Sequence, residues 1–404
     1  MSEQATEPAP TWPIHGKAVR LVVLIAMGFA VMFGVVIIQA LVRINKPFYP
    51  DFFGLRSFAL FARTHPIAQV YRPDLLGPFQ HQIGPKFASL YPFPYPPDFL
   101  LFIWPLGLLN YPLAQILWSG LSAVALGWAV WGILQHHRNW RVFGLVFVLL
   151  APASMINLID GETGYFTSAL LIGGFALLRG RPVLAGLLFG LLTLKPQIGI
   201  LVPVALLALG AWRTILTAIL TTAALILLSC LAFPPGLWLT WLHALPHYQD
   251  LMFSNHGNLD STMTTIDATA QSLGFSRRIA DILQLIASAG IMLACFRVFR
   301  AAPYRLAVAA LLAGTFVASP HAYVYDSPAL SVALLLLAEK IAASRGYFTF
   351  SEILIALLVF LMPAEILTPY AHYIFVGLAD LALFVLLVGL SLHWDVGEAD
   401  KMPV

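Results

Sequence analysis

Charge is what this chain has least of. Only 10% of its 404 residues are Asp, Glu, Lys or Arg, against about 25% in an ordinary soluble domain. That scarcity, together with 60% hydrophobic residues and a mean hydropathy of +0.84, excludes a soluble globular fold. Cysteine is nearly absent: Cys230 and Cys295 lie in separate apolar runs. They read as two buried thiols, which excludes a disulfide framework or a thiolate metal centre. The net charge of +3 is too small to argue for nucleic acid, and no such partner is expected. No internal repeat stands out, and the polar loops hold no Asp-x-Asp pair of the kind that binds a metal–nucleotide.

What is present is a succession of apolar runs, several reaching the ~20 residues that a bilayer crossing takes. The expected class is an all-α polytopic membrane protein. Short loops rich in Lys and Arg mark the cytoplasmic side. The basic residues cluster at Lys17 and Arg20, Arg138 and Arg141, Arg179 and Arg181, Arg213, Arg297 with Arg300 and Arg305, and Lys340 with Arg345. Placing all of these inside sets the spans at 18–42, 112–134, 142–159, 163–178, 182–194, 197–211, 214–233, 279–296, 305–319, 327–343, 350–368 and 371–392. That is about 12 crossings with both termini cytoplasmic. The first run is too long for the core of a cleaved signal peptide and reads as a retained anchor. Residues 17–395 are expected to form one transmembrane domain between a disordered cytoplasmic tail, 1–16, and a second tail, 396–404. Residues 97–110 are too short to cross and read as re-entrant or interfacial. Runs 182–194 and 197–211 are interrupted by Lys195-Pro196 and read as half-helices meeting inside the membrane, a geometry common at substrate sites. Gly186 and Gly190 have the spacing of a close helix contact.

This orientation sends two long polar loops, 43–97 and 234–277, to the outer face. The short turns at 160–164, 195–197 and 319–326 join them there. The candidate chemistry therefore shares one compartment: the periplasm or exterior, if the membrane is a bacterial cytoplasmic (inner) one. Soluble nucleotide sugars reside in the cytoplasm, so a transferase facing outward draws on a lipid-borne donor.

Asp51 opens the apolar stretch Phe52, Phe53, Phe58, Leu60 and Phe61, whose helical spacing suggests an amphipathic helix on the membrane surface. The carboxylate is then either a helix cap or a reacting group, since ionisable residues near hydrocarbon persist mainly where they serve a path or a reaction. Lys195 sits within the apolar body and requires an anion, such as a phosphate, unless it reaches to the interface. His321 follows Ser319-Pro320 with Asp326 five residues on; it is a phosphate ligand, a carboxylate partner, a proton shuttle or a structural residue. Asp160 and Glu162 share a turn between glycines and suit either helix capping or substrate hydroxyls. The hydroxyl- and amide-rich segment 254–267 suits a sugar or any solvated loop.

Four stretches, in order along 20–390, resemble glycosyltransferase family 87, the polyprenyl-phosphate-sugar-dependent mannosyltransferases of the GT-C superclass. They are Asp51-Phe52 followed by Val70-Tyr71-Arg72-Pro73; Phe93-Pro94-Tyr95-Pro96-Pro97 leading to Trp104-Pro105-Leu106; Arg179-Gly180-Arg181 through Gly186 and Gly190 to Leu194-Lys195-Pro196-Gln197 and Trp212-Arg213; and Ser319-Pro320-His321 with Tyr325-Asp326. The resemblance implies a GT-C-like helical bundle whose long first extracytoplasmic loop carries interfacial helices. It also implies an inverting transfer of mannose or another hexose from a polyprenyl phosphate to a glycolipid or glycan acceptor, among membrane lipids. Asp51 is then the general base, and His321, Lys195 and Arg72 are donor-phosphate or active-site groups. Glu162, Asp160, Tyr95 and Asp326 are sugar or acceptor candidates. One departure is Gly161-Glu162 where the family carries Gly-Gln, so specificity is not carried over. Displacement at a phosphate leaving group needs one base and stabilising hydrogen bonds, so no cofactor or metal is expected. The rival readings are a transporter or flippase of lipid-linked sugars, which broken helices and a buried lysine would suit equally, and an inactive scaffold subunit.

Overall fold

Proline and threonine punctuate this chain. Proline sits in the first turn of helices at Pro73, Pro112, Pro152, Pro182 and Pro328, where its missing N–H costs nothing. Asn110 caps the helix that carries Pro112, and Thr265 and Thr349 cap two others, each by accepting from a backbone amide. The computed structural model describes residues 50–84, 90–134, 138–254, 263–367 and 374–393. The expected span 18–42 and both tails lie outside those residues.

The helices are α1 (Pro50–Thr64), α2 (Pro73–Ile83), α3 (Phe99–Ile103), α4 (Tyr111–Ile133), α5 (Arg138–Leu149), α6 (Pro152–Asp160), α7 (Gly164–Leu177), α8 (Pro182–Leu191), α9 (Val202–Leu209), α10 (Trp212–Ala232), α11 (Leu237–Ser254), α12 (Ile266–Ser272), α13 (Arg277–Ala301), α14 (Tyr304–Ala318), α15 (Pro328–Ser344), α16 (Phe350–Leu361) and α17 (Ile374–His393). Among the described residues the one β feature is an isolated bridge between Met263 and Tyr323.

Among the described residues, three helices, α4, α10 and α13, are long and apolar enough to cross a membrane, and the pair Trp140–Leu149 with Pro152–Asp160 makes a fourth if its 54° bend is counted within one span. The bend falls where Ala151 is extended ahead of Pro152, as the residue before proline prefers. The outward faces of these long helices are bare and apolar: Leu121, Val124, Ile219, Leu231, Leu285 and Ile286 are all exposed, as a lipid-facing surface requires. At the centre, α14 is buried along nearly its whole length against α13, α15 and α17. The run 182–209 breaks as expected, with short 3-10 turns Leu192–Leu194 and Pro196–Gly199 flanking Lys195. Gly186 and Gly190 do bring α8 onto α10: a Cβ at either would lie 2.6 or 2.5 Å from the Cβ of Thr217 or Thr221.

The segment expected to form the first outer loop departs from expectation. Instead of resting on a lipid surface, α1 is buried on most of its circumference. Phe52, Leu55, Phe58 and Phe61 share a core with Val70, Leu76, Phe93, Leu100, Ile103 and, from α11, Leu237 and Tyr248. Periodicity showed an apolar face, but protein covers it. The short stretch 97–110 is α3 plus a 3-10 turn, Trp104–Leu108, pinned to α1 where the Arg63 guanidinium donates to the Gly107 carbonyl. The two long loops meet: Trp241 Nε1 of α11 donates to the Pro94 carbonyl at 3.0 Å.

Direction of travel sorts the ends of the bundle. Helix α7 runs from Gly164 to the Arg179 connector, α14 runs back from Tyr304 to Ser319, and α15 returns from Pro328 to Glu339 and Lys340. At one end, the Arg179 guanidinium lies 4.3 Å from the Tyr304 ring centre and Arg305 pairs with Glu339. The Asp160–Gly164, Lys195 and Ser319–Asp326 turns gather at the other, about 21 Å away by the length of α7.

Candidate functional site

Asp51 lies in the first turn of α1, and the next residue fixes its place. Phe52 packs against Gly161, whose φ of +67° is left-handed and whose missing Cβ would lie 2.6 Å from the Phe52 Cβ. Only glycine meets both demands cheaply. The contact carries the Asp160–Glu162 turn to the side of Asp51. Burial, and next to it the negative charges of Glu162 and Asp160, push the Asp51 carboxyl well above the usual carboxylate range; Lys195 opposes them and Asp326 adds to them. Burial likewise raises Glu162, with Lys195 pulling it back.

Lys195 stands at the break between α8 and α9, and its anion comes from within the chain. Its Nζ donates to Asp326 Oδ1 at 2.5 Å and to Thr163 Oγ1 at 3.1 Å. The two side chains of the ion pair are 6% and 0% exposed. Of the two alternatives for Lys195, the snorkelling one is excluded by burial, and the anion it holds is a carboxylate of this chain. Asp326 also accepts from the Tyr323 amide at 3.3 Å, which closes the 3-10 turn Val324–Asp326. That turn is clamped on α7: Gly164 admits the Tyr325 carbonyl so closely that a Cβ would stand 2.0 Å from it, and Asn157 Nδ2 donates to the same oxygen at 3.1 Å.

Tyr95 joins from the segment packed around α1. Its phenol hydrogen-bonds the Thr163 side chain, with Glu162, Asp326 and Asp51 as electrostatic neighbours; its ring stacks on Phe99 at 4.0 Å. Asp51, Tyr95, Asp160, Glu162, Lys195 and Asp326 thus form one cluster, although they come from five separate stretches of chain. His321 stands at its edge, half-buried and lowered by burial, between Asp267, which supports its charge, and Lys195, which opposes it. Arg72 is not brought to the cluster: it is exposed and held by Asp74 in a two-point ion pair of 2.9 and 2.6 Å. Its closest carboxylate is two residues away, and the local pair wins. Sequence reasoning did not single out Tyr91, which faces Asp51 and Asp160, nor Asn157 and Thr163, which hold the turns together. A buried asparagine within an apolar helix was the available signal for Asn157.

One buried cation among four carboxyls is an arrangement for taking up a proton and for gripping hydroxyls. A family profile described as Glycosyltransferase family 87 matches residues 93–320, more than half of the chain, and the protein belongs to that family. It is accordingly a membrane-embedded glycosyltransferase with a sugar donor and a sugar acceptor as substrates. The matched stretch contains Tyr95, Asp160, Glu162 and Lys195; His321 and Asp326 lie just past its end, and Asp51 lies well before its start. Neither the comparison with curated proteins nor that with solved structures gives a match.

Proposed function

We propose that the protein moves a hexose, mannose in the first instance, from a polyprenyl-phosphate donor to a hydroxyl of a glycolipid or envelope glycan on the extracytoplasmic face, with inversion. One observation carries this reading above the others: folding delivers Asp51 to a cluster whose other members lie as far along the chain as Asp326. In the reaction, the acceptor hydroxyl gives its proton to the Asp51 carboxylate as its oxygen bonds to the anomeric carbon. The bond from that carbon to the donor phosphate breaks, and its electron pair leaves with the phosphate. A raised carboxyl pKa makes a stronger base near neutral pH. Lys195 tempers the negative potential around Asp51 without itself touching the donor, and Glu162 and Asp160 are the hydroxyl-gripping groups. The gathering of basic connectors at the opposite end of the bundle supports an outward-facing site. Phosphate departs readily when hydrogen bonds meet its developing charge, so the reaction is metal-independent, and chelators should leave purified enzyme active.

The deciding experiment gives reconstituted protein a radiolabelled polyprenyl-phosphate mannose and envelope glycolipid acceptors. Asp51→Asn should lower transfer by roughly 100-fold or more. Undiminished transfer by this variant removes Asp51 from the mechanism, and flipping of the donor without transfer would favour the carrier reading.

A further inference from the structure

The second outer loop supplies an acidic residue that the site described so far leaves unused. Asp267, 4% exposed, heads α12 beside the turn that carries His321. Its position is fixed from both sides of that turn. Gln284 of α13 accepts from the Ile266 and Asp267 amides at 2.9 and 3.2 Å and donates to the Val317 carbonyl at 3.0 Å. Ser288 donates to the Ala318 carbonyl at 2.8 Å. Beyond the turn, Thr264 N donates to the Ala322 carbonyl at 2.9 Å and Met263 bridges to Tyr323. Residues 263–267 and 317–323 are therefore sewn together, which makes the Asp267 carboxylate and the His321 ring electrostatic neighbours.

Both groups are prepared. Thr265 donates its hydroxyl to Asp267 Oδ1, which settles the carboxylate orientation. Ser319 Oγ donates to the His321 carbonyl at 2.8 Å and accepts from the His321 amide at 3.2 Å, which settles the histidine backbone. His321 Nδ1 is buried and has no hydrogen-bond partner, an unspent valence that buried polar atoms seldom keep without a reason. The charged groups around the ring are Asp267 from α12 and Lys195 from the α8–α9 break.

We propose that Asp267 is the positioning residue of His321: it orients the imidazole and balances its positive charge so that the ring donates a hydrogen bond to the leaving phosphate oxygen of the donor. The inference rests on the reading given under Proposed function and divides its labour, with Asp51 taking the acceptor proton and the Asp267–His321 pair meeting the charge that departs. Burial and Lys195 disfavour an imidazolium here, and the Asp267 carboxylate offsets part of that cost. Catalytic hydrogen bonds are often long in an unliganded site and tighten around substrate, which suits two neighbouring groups on segments tied together by backbone hydrogen bonds.

The test is a double-variant cycle on kcat/KM with a synthetic polyprenyl-phosphate mannose as donor. Asp267→Asn keeps the shape and the Thr265 bond, and should lower kcat on the order of 10-fold or more with the acceptor KM unmoved. His321→Ala should lower it at least as far, and Asp267→Asn added to His321→Ala should cost nothing more. Asp267→Glu, which keeps the charge, should recover part of the loss. Multiplying losses in the double variant, or an Asp267→Glu as poor as Asp267→Asn, would overturn the pairing. Asp51→Asn serves as the separate arm: if it transfers normally the base assignment fails, whereas a dead Asp51→Asn beside independent effects at 267 and 321 sinks only the inference made here.

Discussion

Lys195 and Asp326 make the sharpest quantitative test of the site. Both side chains are out of water, and stranding one member of a buried pair costs about 3–5 kcal/mol. Lys195→Met should fall at the upper end, because it leaves Asp51, Asp160, Glu162 and Asp326 facing one another with their opposing charge gone. Asp326→Asn should cost less, since the Lys195 ammonium keeps Glu162 and Asp51 as neighbours. Removing both together leaves no stranded member of the pair, and Asp51, Asp160 and Glu162, all raised by burial, can keep protons instead of facing one another charged. What remains is the lost hydrogen bond from Nζ to Thr163, about 1 kcal/mol, plus a weakened cap at Tyr323 of similar size. The double variant should therefore sit about 2 kcal/mol below the parent, not the roughly 6–10 kcal/mol that adding the single losses predicts. Reversible unfolding in mixed micelles, followed by helical circular dichroism, measures all four corners. A double variant matching the sum of the singles within about 0.5 kcal/mol would show that the two residues are not a coupled pair and would refute the argument.

Gly161→Ala should lower stability by about 1–2 kcal/mol through its left-handed backbone alone. By shifting Phe52 it should also move Asp51 and reduce kcat on the order of 10-fold or more; unchanged turnover would disconnect that contact from catalysis. Gly190→Val, driven into Thr221 and the Ala218 carbonyl, should cost about 1–3 kcal/mol in a thermal melt, whereas Gly180→Ala, which meets nothing within 4 Å, should melt with the parent. Asp51 must be ionised to act, so kcat/KM should rise with pH through a midpoint above the ordinary carboxylate range. Because the folded-state pKa is raised, the same ionisation lowers stability as pH climbs through it. Glu162→Gln removes the largest like charge beside Asp51 and should move that midpoint to lower pH; a rate already level near pH ~4 in the parent would contradict the burial of the base.

Much of the architecture was legible because it is written locally. The break at Lys195-Pro196, the close glycines of α8 and the short helix after residue 97 follow from proline, glycine and run length. The observed helices α4, α7, α10, α13, α14, α15 and α17 begin and end within a few residues of the expected spans, because hydropathy reports on length directly. Partners far apart in sequence were not legible. Nothing near Lys195 announces Asp326, 131 residues away, and the apolar stripe of α1 shows that it is covered without showing by what. Arg72 misled for the opposite reason: its carboxylate is its near neighbour, and a surface ion pair leaves no trace in a pattern scan. The Asp51 cluster was anticipated residue by residue through resemblance, and its geometry came from the fold.

The scattering of the cluster along the chain has a bearing on biosynthesis. A ribosome delivers Asp51 first and Asp326, the residue that pairs with Lys195, last, after most of the helices have been made. A nascent chain halted before residue 326 carries Asp51 with no completed pocket around it. Until then Lys195 lacks the carboxylate it pairs with in the finished protein, so the cluster assembles only when nearly the whole chain is made.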